Sequence, residues 1–233
     1  MTPEFLPVGD LAVRVAFGAE IGPQINNHIR CFCHRLEVEP VRGVIEWVPG
    51  YATVTVYYRP WIIGCEALCG ELVRRLGKGK YAMLPQVRQV EIPVCYGGDW
   101  GPDLEEVAAA HDLTPAQVIE RHAAGDYLVY FLGFLPGFPY LGGLPPSLAT
   151  PRRATPRPRV LAGAVGIAGA QTGVYPLETP GGWQIIGRTP LRLYDPARQQ
   201  PAMLAAGDFV RFVPITAQRF EEITLEETAL GPR

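Results

Sequence analysis

In "RVLAGAVGIAGAQTGVYPLETPGGWQIIGRT", residues 159–189, short runs rich in Val, Ile and aromatic residues alternate with glycine and proline turns. No run is long enough for a helix. The same punctuation brackets "YLVYFLGF" (127–134), "LRLYD" (191–195) and "DFVRFVP" (208–214), which read as further strands. Many short strands between Gly and Pro turns predict a closed or nearly closed β-barrel.

Working upstream, the strand "VRQVEIPVCY" (87–96) is followed by two short helices. Pro102-Asp103 starts "DLEEVAAAHDL". In "TPAQVIERHAAG", Thr114 is the N-cap, Pro115 the first helical residue and Gln117 the capping-box partner, with Gly125 beyond the end. Further back, residues 8–17 read as a strand, "GPQINNHIRCFCHRLEVE" has helical spacing in Ile25, Ile29, Phe32 and Leu36, and "GVIEWVPGYATVTVYYRP" alternates as two strands around Pro49-Gly50. A second helix, "GCEALCGELVRRLGKG", closes on Gly77 and Gly79, and "KGKYAMLPQ" reads as a linker. The expected fold is α+β: a small β-α-β-β-α domain over residues 1–84, then a β-barrel carrying two short helices over residues 86–233.

Composition narrows the function. A chain of 233 residues with 48% apolar residues, 19% charged residues and a formal net charge of -2 can bury a sizeable core. It has no basic excess to argue for nucleic acid or an acidic membrane surface. No stretch reaches the ~18 uninterrupted apolar residues of a spanning helix, and no secretory leader is visible, so a cytoplasmic location is expected. Cys31, Cys33, Cys65, Cys69 and Cys95 are odd in number and contain no CxxC pair, which fits reduced thiols. Phosphate-loop, GxSxG and HExxH signatures are absent, and no metal site is expected.

The chemistry concentrates between residues 131 and 189. "PRRATPRPR" sets Arg152, Arg153, Arg157 and Arg159 on a chain stiffened by Pro151, Pro156 and Pro158. Guanidinium forks on a pre-extended backbone suit carboxylate or phosphate. Alternation along an extended chain puts Arg157 and Arg159 on one side. Nearby, Gln171, Thr172, Tyr175, Trp183 and Arg188 stand among glycines that permit close backbone approach, the inventory of a small-molecule pocket. His122, on the second short helix, is the best lone candidate for proton transfer or ligand orientation.

"GFLPGFPYLGGLPPSLATPRRATPRPRV", "AGAVGIAGAQTGVYPLETPGGWQIIGRTP" and "AAGDFVRFVPI" together resemble the family of the 5-oxoprolinase B subunit, also called allophanate hydrolase subunit 1, which includes the sporulation histidine-kinase inhibitor. The resemblance covers nearly the whole chain. It implies a cyclophilin-like β-barrel after a small α/β domain. It also implies a non-autonomous component of an ATP-dependent lactam hydrolase, which with the A and C subunits opens 5-oxo-L-proline to L-glutamate. ATP is then the implied cosubstrate, with Mg2+ at the level of the complex. On this reading His122 and Arg188 are the catalytic candidates. Arg152, Arg153, Arg157, Arg159, Gln171, Thr172, Tyr175 and Trp183 are the substrate- or nucleotide-binding candidates. The alternative is a regulatory protein that binds and inhibits a sensor histidine kinase.

Overall fold

The computed structural model describes residues 3–77 and 87–229. The expected linker, residues 78–86, and the closing Gly79 lie outside the described residues. The chain divides into two compact units, Met1–Gln86 and Val87–Arg233.

The first unit runs β1 (Glu4–Val8), β2 (Ala12–Ala16), α1 (Pro23–Val38), β3 (Val44–Pro49), β4 (Thr53–Tyr58) and α2 (Cys65–Gly77). Its sheet is antiparallel in the order β1-β2-β4-β3. Where one strand was expected over residues 8–17, the chain forms a hairpin. Gly9, at a φ of +60°, turns the backbone and pairs Val8 with Ala12, so the unit is β-β-α-β-β-α. Val13, Val15, Val54 and Val56 point inward from the sheet against Ile29, Phe32 and Leu36 of α1 and Leu68 and Leu72 of α2. Each such buried side chain contributes about 1.5–3 kcal/mol.

The second unit contains β5 (Gln89–Tyr96), α3 (Leu104–Ala110), α4 (Pro115–Ala123), β6 (Tyr127–Leu132), β7 (Pro139–Gly142), β8 (Arg157–Val160), β9 (Ala164–Ala168), β10 (Gln171–Val174), β11 (Thr179–Gly181), β12 (Gln184–Arg188), β13 (Phe209–Pro214) and α5 (Ala217–Ala229). Seven strands close a barrel in the order β10-β7-β6-β13-β5-β12-β9, while β8 and β11 form a separate ribbon. The fold is therefore α+β with a closed barrel. The last barrel strand pairs with the first in parallel, Phe209 opposite Gln89 through Pro214 opposite Val94.

Three local expectations change. "RVLAGAVGIAG", whose composition predicts one strand, splits into β8 and β9, because Gly163 takes a φ of +84° with its backbone against the Thr189 carbonyl. "LRLYD" is no strand: only an isolated bridge joins Tyr194 to Ala202. Helix α5 was not expected at all. Phe220 is buried but Leu225 is 71% exposed, so its apolar residues form no continuous stripe.

The capping box of α4 is formed on both sides, with Thr114 Oγ1 accepting from the Gln117 amide at 3.3 Å and Gln117 Oε1 accepting from the Thr114 amide at 2.9 Å. This helix delivers His122 into the interior. Thr172 Oγ1 is 3.0 Å from the Gly166 carbonyl and must donate its only proton there. His122 Nε2–H therefore donates to Thr172 at 2.9 Å, and Nδ1 accepts from the Tyr96 hydroxyl at 2.8 Å. The ring stacks on Phe212 at 4.6 Å, and the Tyr127 hydroxyl donates to the His122 carbonyl at 2.7 Å.

Burial pushes the His122 imidazole down to about 3. Its folded value thus lies below the ordinary 6.5, so folding favours the neutral ring. The stability this confers is complete above pH ~6.5 and is lost as the pH falls toward 3, by at most about 1.4 kcal/mol per pH unit. In urea denaturation of the full chain, His122→Gln should be less stable than the parent at pH 8. The gap should narrow between pH 6.5 and 4. A gap independent of pH would show that this imidazole is not held neutral.

Candidate functional site

Asp103 ends the turn that precedes α3. Its amide donates to the Ile185 carbonyl at 2.9 Å, and its Oδ2 accepts from the Ile185 amide at 2.6 Å, which fastens the start of α3 to β12. The approach is close: Gly101, in the same turn, lies against the Ile186 carbonyl where a Cβ would not fit. The other carboxylate oxygen, Oδ1, receives Arg153 Nη1 at 2.8 Å and Arg157 Nη2 at 2.6 Å. Asp103 is 1% exposed. One buried carboxylate therefore holds two arginines of the proline-rich segment. The Arg153 amide also donates to the Gly182 carbonyl at 2.8 Å.

This anchoring shapes a groove of about 270 Å3. Its walls are Phe134, Phe138, Tyr140, Tyr175 and Trp183, with Arg152 and Arg153 on the polar side. Phe138 meets Tyr175 and Trp183 edge to face, each at 5.5 Å. Gly181 is required beneath them, since a Cβ there would come within 2.6 Å of the Tyr175 hydroxyl. Burial pushes the Tyr175 phenol up to about 12, against the pull of a backbone bond at Trp183 and the charges of Arg152 and Arg157. It is a neutral hydroxyl at physiological pH. Phe134, at the lip, is 65% exposed with a φ of +63°, a strained conformation for an aromatic residue.

The arginines have divided roles. Arg152 is exposed, lines the groove and pairs with no carboxylate among the described residues. Arg153 and Arg157 are held by Asp103, yet Arg153 Nε and Arg157 Nη1 are buried without an acceptor among the described residues. Arg157 and Arg159 do not share a partner: Arg159 turns out to solvent and pairs with Glu178 at 2.7 Å.

Residues 3–204 match the family model for the carboxyltransferase domain, subdomains C and D. The chain is 45% identical to the B subunit of 5-oxoprolinase from Bacillus subtilis, covering 91% of this chain and 93% of that protein. It is 55% identical to the B subunit of 5-oxoprolinase from Escherichia coli O157:H7, covering 74% of this chain and 78% of that protein. The chain belongs to the 5-oxoprolinase B-subunit family. The crystal structure of TTHA0988 superposes with a TM-score of 0.78 at 38% identity over 88% of this chain, which spans 40% of that longer protein.

In this family member the remaining expected site residues lie elsewhere. His122 and Thr172 are fully buried and bonded to each other, which leaves neither imidazole nitrogen for a ligand. The proton-transfer expectation for His122 is therefore corrected to a structural post inside the barrel. Gln171 begins β10, opposite Ala168, and does not line the groove. Arg188 lines a different pocket at the end of β12. Sequence reading missed Asp103 as more than a helix start. The one available signal was an acidic residue next to a turn that faces a run of arginines.

Removing one partner of a buried ion pair costs about 3–5 kcal/mol, less here because Arg153 and Arg157 keep 31% and 25% of their side-chain surface in water. Asp103→Asn should lower the stability of the barrel by about 2–4 kcal/mol in urea denaturation. A loss under about 0.5 kcal/mol would mean that the clamp does not hold the groove.

Proposed function

We propose that this chain is the B component of an ATP-dependent 5-oxoprolinase complex and that it acts with the A and C subunits to open 5-oxo-L-proline to L-glutamate. The observation that carries this reading is the 45% identity, over 91% of the chain, to the B subunit of the Bacillus subtilis 5-oxoprolinase. The groove agrees with it. The substrate is a flat five-membered lactam bearing one carboxylate. Phe138, Tyr175 and Trp183 offer apolar ring edges to the lactam, and Arg152 offers an uncommitted fork to the carboxylate. The neutral Tyr175 hydroxyl stays a hydrogen-bond donor throughout the working pH range.

A lactam carbonyl resists water because its nitrogen lone pair is delocalised into it. Phosphoryl transfer from ATP to the lactam oxygen, with ADP leaving, removes that resistance. One water then adds at the carbonyl carbon and the ring C–N bond breaks with nitrogen leaving as the amine, and a second water hydrolyses the resulting acyl phosphate to the carboxylate and free phosphate. The fixed positive charges of Arg153, which lines the groove, and Arg157 suit an oxygen that gains negative charge in this sequence. A cationic and aromatic donor set repels Mg2+, so we place the metal ion, with its nucleotide, on other subunits of the complex. The chain by itself should be nearly inactive.

Arg152→Lys keeps the charge and removes the fork. In the reconstituted complex it should reduce kcat/KM for 5-oxoproline about 10- to 100-fold, with an unchanged Tm, whereas Arg159→Lys should leave turnover unaltered. Full activity of the Arg152→Lys complex would exclude the groove as the carboxylate site. Complete 5-oxoproline turnover by the isolated chain would exclude the requirement for partners.

A further inference from the structure

A second pocket, of about 230 Å3, lies at the end of β12 beneath α5 and shares no lining residue with the aromatic groove. Arg188 is its charged element. The Arg188 Nε donates to the Ala162 carbonyl at 2.9 Å, and the guanidinium carbon sits 5.9 Å from the Phe220 ring centroid. Those two contacts fix the plane of the fork. Among the described residues no carboxylate pairs with Arg188. Arg192, also in the lining, is different, because it pairs with Asp195 at 3.2 Å.

A partly buried cation without a counter-charge has given up hydration for little return. The Arg188 guanidinium is accordingly pulled below its ordinary value by burial. An anion entering the pocket would supply the missing charge. The rest of the lining restricts which anion fits. Beside the polar Thr189, Thr224 and Arg192, the lining contains Pro176, Pro190, Leu191 and Phe220, whose apolar surfaces give a strongly hydrated phosphate no partners. A carboxylate on a compact apolar group satisfies both the fork and the walls.

We propose that Arg188 and the apolar lining at the end of β12 form a second binding site, selective for small organic monocarboxylates. The site is independent of the reaction assigned to the aromatic groove, and it needs no partner subunit to exist.

The test uses the full chain alone, with isobutyrate, acetate and inorganic phosphate as probes. Backbone amide NMR should show saturable shifts at Gly163, Leu191 and Thr224, in the millimolar range for isobutyrate and weaker for acetate and phosphate. Arg188→Gln should weaken isobutyrate binding at least 10-fold. Thr224→Phe, which fills the pocket from α5 and leaves Arg188 in place, should do the same. Arg152→Ala, in the other groove, should leave these shifts unchanged. The proposal is overturned by an absence of shifts up to 50 mM, by unaltered binding in both pocket variants, or by phosphate binding more tightly than isobutyrate.

Discussion

Everything around the aromatic groove depends on the carboxylate of Asp103. One oxygen is committed to the Ile185 amide of β12 and the other to two guanidinium groups, so a single buried group ties α3, the barrel wall and the proline-rich segment together. Burying a charge is unfavourable unless it is bonded, and here the carboxylate accepts three hydrogen bonds, two of them from cations. The prolines reduce the entropy lost when the segment is held down, and the Asp103 anchor then sets which side of it faces the groove. Arg152, one residue before the clamped Arg153, is left pointing at the aromatic wall.

The two cationic sites of the barrel differ in how their charge is compensated. In the groove Asp103 offsets part of the charge of Arg153 and Arg157, and Arg152 beside them is unpaired by a carboxylate among the described residues. At the end of β12, Arg188 stands without an acidic partner among the described residues and leans on an aromatic ring. The first arrangement favours orientation, since the carboxylate locks two forks in place. The second favours occupancy, since the stabilising charge must come from outside.

Much of the barrel was legible because its strands are short, β-branched and bounded by Gly and Pro, and because α4 carries a complete capping box in Thr114, Pro115 and Gln117. The hairpin β1–β2 was not, since a single glycine at positive φ inside an alternating stretch does not reveal that the chain reverses there. Strands β7 and β11 were missed because each is only three or four residues long and contains proline and glycine. Tyr175, Trp183 and Arg152, singled out by residue type, line one groove. His122 and Thr172 lie instead inside the barrel, because a linear reading does not show that the α4 face carrying His122 and the β10 face carrying Thr172 both turn inward. Asp103 was invisible as a clamp, because its partners lie about fifty and eighty residues away and only the folded chain brings them together.

The parallel pairing of β13 with β5 has a consequence for how the protein is made. Strand β13 is inserted between β5 and β6, the first two barrel strands in the chain. Until residues 209–214 leave the ribosome, those two strands have no neighbour on their facing edges and the sheet stays open. The N-terminal unit makes its sheet entirely from its own residues and is free to form early. The nascent barrel, by contrast, must hold bare strand edges and apolar faces such as Val94 and Val129 in water for most of its own synthesis. Its exposure to misassociation is set by the position of one strand at the far end of the chain.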